Sequence, residues 1–203
     1  MRKLILAAIF VLLALSMAQA QTTTPKSPDE CLAAVQNHMR QRVEAARKAG
    51  EKLNYRQYQS ETLELAKKYA AMFTPESVKE SELVALARLY MSAQQHDLAN
   101  AAIKRRLALP NLTTDERAET LAVAVEIVLG VKDITDEVLQ QAENYAAQLD
   151  ALPGAAIRHR LRAHSRLGGY YSYADKDAQN LEHHEKIIEL INKMPAEERK
   201  PFQ

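Results

Sequence analysis

Hydrophobic positions in this chain recur every three or four residues, the period of a helix with one buried face. No stretch alternates with the period of two that a strand requires. Ser27 with Glu30 forms a capping box, Pro28 takes the first helical position, and Cys31, Val35, Met39 and Val43 share one face until Gly50. Asn54 with Gln57 opens a second helix, striped by Tyr58, Leu65, Tyr69 and Met72. Thr74-Pro75 stops it and starts a third, with Leu83, Leu86, Tyr90 and Ala93 on its stripe. A polar break at Gln94-Gln95-His96-Asp97 leads into a fourth, carrying Leu98, Ala102, Ile103 and Leu107, which Pro110-Asn111 closes.

The second half repeats the plan. Thr113 and Glu116 cap a fifth helix with Leu121, Ala124, Val125 and Val128, ended by Gly130. Thr135 caps a sixth, with Leu139, Ala142, Tyr145, Ala146 and Leu149, ended by Pro153-Gly154. A seventh runs from about residue 155 to 167, where Gly168-Gly169 breaks it, and an eighth from about residue 175 to 193, before Pro195. Predicted starts near 75, 114 and 155 lie 39 and 41 residues apart, and their partners near 97, 135 and 175 lie 38 and 40 apart. A helix-turn-helix unit of that length cannot bury its stripe alone, so the pattern predicts an all-α stack of about four antiparallel pairs over residues 28–194. The pair starting near 28 and 54 is offset and reads as a capping unit; residues 195–203 form a tail.

The unit from Ser81 to Asn111 resembles a tetratricopeptide repeat. It has Leu83-x-x-Leu86-Ala87-x-x-Tyr90, then Ala99-x-x-x-Ile103 where the two helices of such a repeat cross closely, then Pro110. Leu83 stands where the family usually has Trp, Arg106 where it prefers Ala, and Pro110 comes one residue early. The resemblance implies a helical-hairpin solenoid that binds a protein or peptide along the first helices of its pairs. A second resemblance is to the helical region preceding a thioredoxin-type domain in exported TlpA-like thiol-disulfide oxidoreductases. It rests on Ser27-Pro28-Asp29-Glu30-Cys31, the segment Leu107 to Leu112, and Gly169-Tyr170-Tyr171-Ser172-Tyr173-Ala174-Asp175. That family's Cys-x-x-Cys is absent, so its redox activity transfers to no residue here. The ending Pro201-Phe202-Gln203 fits the front portion of a longer protein.

The first twenty residues change the compartment. Arg2 and Lys3, an apolar run from Leu4 to Leu15, and Ala18-Gln19-Ala20 are the parts of a secretory signal, with cleavage after Ala20. The run is shorter than the roughly 20 residues a membrane span needs. Residues 21–27 then form a polar leader, and the mature chain is expected in the periplasm or outside the cell. Cys31 is the only cysteine, which excludes an internal disulfide; it reads as a small buried hydrophobe, the alternative being an intermolecular or redox-responsive thiol. Lys and Arg number 27 against 26 Asp and Glu; without Arg2 and Lys3 the count is 25 against 26, a formal charge of −1, which gives nucleic acid no electrostatic support.

No phosphate loop, His-Glu-x-x-His helix, nucleophile elbow or paired cysteines occur, so a non-catalytic role without cofactors is expected. Three constellations remain. Arg158, Arg162 and Arg166 recur every four residues and, with Arg88 on an earlier helix, make either a carboxylate-binding groove or a face balanced by neighbouring acids. Tyr170, Tyr171 and Tyr173 at the expected hairpin turn make either packing or an aromatic contact patch. His159 and His183 or His184, with Glu182 or Glu185, come level if the last hairpin turns near Tyr171. They then offer a divalent-metal set, against which His184 reads as a core-edge histidine on the line Leu181, Ile188, Ile191. The function classes weighed are an exported scaffold binding protein or peptide, the helical part of a TlpA-like oxidoreductase, and a homo-oligomer.

Overall fold

The computed structural model describes residues 27–50, 52 and 54–199; the expected signal sequence, nearly all of the expected leader and the last four residues lie outside them. The helices are α1 (Pro28–Ala49), α2 (Tyr55–Ala70), α3 (Leu83–Ser92), α4 (His96–Leu107), α5 (Thr114–Val128), α6 (Asp136–Asp150), α7 (Ile157–Tyr173) and α8 (Asp177–Lys193). A short 3-10 turn, Glu80–Glu82, precedes α3 and a single helical turn, Ala196–Arg199, follows α8. Among the described residues there is no strand, and no helix is long and apolar enough to cross a membrane. The fold is all-α, and neighbouring helices pack in hairpins.

The caps read from sequence are formed. Ser27 Oγ accepts the Glu30 N–H at 3.2 Å, Asn54 Oδ1 that of Gln57 at 3.3 Å, and Thr135 Oγ1 that of Val138 at 3.4 Å. At α5 the box is reciprocal: Glu116 N–H donates to Thr113 Oγ1 at 3.3 Å while Thr113 N–H donates to Glu116 Oε2 at 2.9 Å. Gly50 closes α1 at φ 66°, the left-handed conformation that costs glycine little.

Each hairpin packs across its own turn, and α1 with α3, α3 with α5, and α5 with α7 also pack. The odd-numbered helices therefore form one continuous layer. Its centre is α5, whose Val123, Ala124 and Ile127 belong to an N-terminal core and whose Leu121, Ala122, Val125 and Val128 belong to a C-terminal one. A helix apolar nearly all round is one covered from both sides. In the N-terminal core Leu83, Leu86, Ala87, Tyr90, Ala99 and Ile103 are at most 2 % exposed. Burying each large one contributes roughly 1.5–3 kcal/mol. The Tyr90 hydroxyl donates to the Phe73 carbonyl at 2.8 Å, so its polar end is also satisfied. Arg106, which broke the small-residue pattern, is buried and crosses from α4 to donate to the Glu80 carbonyl at 3.0 Å and to Glu116 at 2.5 Å. Hydrogen bonds from Thr113 and Arg106 hold the Glu116 carboxyl below its ordinary range.

Four expectations are corrected. No helix starts at Thr74-Pro75: Ser77 exchanges hydrogen bonds with Thr74, and Arg105 donates to the Pro75 carbonyl at 2.6 Å, so a turn consumes the groups a helix would use. The odd helices thus lose the predicted even spacing, whereas α4, α6 and α8, starting at His96, Asp136 and Asp177, keep 40 and 41 residues. Gly168-Gly169 does not end a helix; α7 runs through both, and the chain turns instead at Asp175, φ 52°. A Cβ on Gly168 would lie 3.4 Å from the Cβ of His183, so this glycine serves a close helix crossing. Finally, the stripes of α1 and α8 are only partly used: Met39 and Val43 are exposed, and on α8 His183 and Leu190 are buried while Leu181, His184 and Ile188 face outward.

Candidate functional site

The layer of odd helices encloses a cavity of about 640 Å³. Leu32 and Gln36 of α1, Arg88 and Met91 of α3, Glu126 and Ile127 of α5, and Arg162, Arg166 and Tyr170 of α7 line it. Their convergence follows from helical spacing: Arg162, Arg166 and Tyr170 are each four residues apart and so project from one face of α7. Arg162 binds both oxygens of Glu126 through Nε and Nη2, each at 2.5 Å. Arg166 Nε stands 3.6 Å from the same carboxylate. Arg88 Nη2 donates to Glu119 Oε1 at 3.0 Å. Glu119 matches Arg88, while Arg162 and Arg166 share the single Glu126 carboxylate, so among the described residues lining the cavity the cations outnumber their acids, and Arg166, 65 % exposed, makes the longer contact.

The structure separates the residues that the sequence grouped. Arg158 leaves the cavity: its Nη2 meets the two Asp115 oxygens at 2.8 and 2.7 Å on the exposed edge between α5 and α7. The arginine ridge is therefore largely balanced by Asp115 and Glu126 of α5. The tyrosines form no common patch, because a helix sends positions 170, 171 and 173 in three directions. Tyr170 lines the cavity, Tyr171 is buried, and Tyr173 is 89 % exposed. His159 and His183 do not meet either: His159 Nε2 lies 3.1 Å from Asp115 Oδ1, and with the turn at Asp175 it is Gly168 that stands level with His183. Among the described residues no three His, Cys, Asp or Glu side chains converge as a metal-ion set. Cys31 is fully buried, and that burial pushes its thiol up to about 11, with Glu30 adding to the rise.

A second constellation, between α6, α7 and α8, is absent from the sequence reading. His164 Nδ1 and His183 Nδ1 face each other at 3.0 Å. On their far sides His164 Nε2 meets Asp150 at 3.1 and 3.2 Å, and His183 Nε2 meets Glu143 Oε1 at 3.0 Å. Tyr171 donates its hydroxyl to the same Glu143 oxygen at 2.7 Å. Burial would raise both carboxyls, but the His183 and Tyr171 bonds to Glu143, and the His164 bond to Asp150 together with nearby Lys186 and Arg160, bring each below its ordinary range. Burial and the Glu143 carboxylate drive the Tyr171 phenol above its usual value. The signal was present in the line Asn180, His183, Ile187, Leu190, Met194, which has the same helical spacing and as many apolar members as the line Leu181, His184, Ile188, Ile191.

Comparison with protein-family models, with curated proteins and with solved structures finds no match for the chain.

Proposed function

We propose that this chain is an exported, non-catalytic scaffold of the tetratricopeptide-like kind, whose inner face binds an extended peptide segment bearing a carboxylate. The observation that carries the reading is the cavity shared by α1, α3, α5 and α7, with Arg166 in excess over the acids that match its neighbours. Leu32, Met91 and Ile127 offer apolar contacts for the side chains of a bound segment, and a carboxylate offers the bidentate partner a guanidinium prefers. Export rests on the charged, apolar and small-residue regions of the first twenty residues. The buried packing of Leu83, Leu86, Ala87, Tyr90, Ala99 and Ile103 supports the family resemblance in the second hairpin.

Two fluorescent peptides of one sequence, one ending in a free carboxylate and the other in an amide, test this by anisotropy. The carboxylate form is expected to bind more tightly, and Arg166→Gln to weaken it by up to about fivefold, the range for an exposed charged contact. Equal binding of both peptides to wild type and variant contradicts the proposal.

A further inference from the structure

We propose that His164 and His183 form a single proton-binding site that latches α8 onto α6 and α7: between them the two rings hold three N–H protons and one bare nitrogen. The count follows from what each ring nitrogen faces. Asp150 and Glu143 carboxylates can only accept, so both Nε2 atoms carry protons. The two Nδ1 atoms, 3.0 Å apart, need one donor and one acceptor. Two neutral rings hold one proton too few and two charged rings one too many. Both rings are buried and their Nδ1 atoms face each other, so either mismatch is costly. The Tyr171 ring stacks on His183 at 8° and 5.4 Å between centroids, and an aromatic face favours a cation within about 6 Å. The charge therefore belongs on His183, whose Nδ1–H donates to the bare His164 Nδ1.

The surroundings balance that charge. From α6 come Glu143 and Asp150, from α7 Arg160 and Tyr171, and from α8 Glu182, Glu185, Lys186 and Glu189 at the rim of a cavity of about 370 Å³. Gly168 lets α7 and α8 approach closely enough for the rings to meet. A second proton would set two N–H groups and two cations against each other. Losing the one proton would set two lone pairs together, or turn one toward a carboxylate. Either change removes the Nδ1–H···Nδ1 bond that joins α7 to α8.

Long-range nitrogen–proton spectra of the uniformly 15N-labelled full chain at neutral pH count the protons directly. Three protonated nitrogens across His164 and His183 are expected. Two or four would overturn the proposal, as would a nitrogen signal that shifts when EDTA is added, which would mean a metal ion sits between the rings. Hydrogen exchange supplies the second arm. After correction for intrinsic rates, acidification from about pH 7 to about pH 5 is expected to speed exchange in α8 roughly ten- to hundredfold relative to α3, the scale of one charged hydrogen bond. Identical behaviour of α8 and α3 would overturn the latch.

Discussion

The two ends of the helical stack are held by different physics. Around α3 and α4 the core is dry: Leu83, Leu86, Leu89, Ile103 and the ring of Tyr90 fill it, and Cys31 joins as one more apolar group. Around α7 and α8 the closest contact is polar, a chain of Asp150, His164, His183, Glu143 and Tyr171 between helices that leave Leu181 and Ile188 outside. An apolar core is indifferent to pH and costs the most when a side chain is truncated. A buried polar network costs the most when one partner is removed, and it answers to protons. One end of the molecule is therefore built for stability and the other for response.

The contrast can be broken most forcefully in the dry half. Leu86→Ala removes a fully buried side chain and is expected to cost about 2–5 kcal/mol in urea unfolding, with no dependence on pH. In the polar half Glu143→Ala leaves His183 Nε2 and the Tyr171 hydroxyl without their acceptor, and is expected to cost about 1–3 kcal/mol at neutral pH. The Glu143 carboxyl is held below 4.5 and that of Asp150 below 3.8, so their contribution is complete above those ordinary values and lost as pH falls through the lower folded ones. Wild-type stability should accordingly fall on acidification below about pH 4.5, and less steeply in Glu143→Gln, as read from thermal melts across that range. The smallest effect sharpens the comparison: Gly169 lies mid-helix with open space around it, so Gly169→Ala is expected to stabilise by about 0.5–1 kcal/mol. A turn at that glycine would give the opposite sign.

The dry half was the more legible in sequence, and the reason is physical. Caps at Ser27, Asn54, Thr113 and Thr135 are local hydrogen bonds, and the stripe Leu83, Leu86, Tyr90 is a local period, so both can be read without knowing the fold. What the last hairpin does depends on a partner. Gly168-Gly169 reads as punctuation until His183 is seen packed against it, and moving the turn to Asp175 changes which histidine meets which. The site divided in the same way. Spacing of four residues put Arg158, Arg162 and Arg166 on one face with Arg88 on an earlier helix, and Tyr170, expected in a turn, joins that face because α7 runs on through Gly168-Gly169. Arg158 of that ridge and Tyr171 of the expected tyrosine patch are claimed by Asp115 and Glu143, whose positions no local period reveals.

The most direct test of the central claim, that the inner face of α1, α3, α5 and α7 meets the ligand, is an amide chemical-shift map with the carboxylate-ended peptide. Perturbations concentrated at Arg88, Met91, Glu126, Arg162, Arg166 and Tyr170 are the predicted result. Perturbations centred instead on Tyr173, Leu181 and Ile188 would place binding on the outer edge and contradict the account.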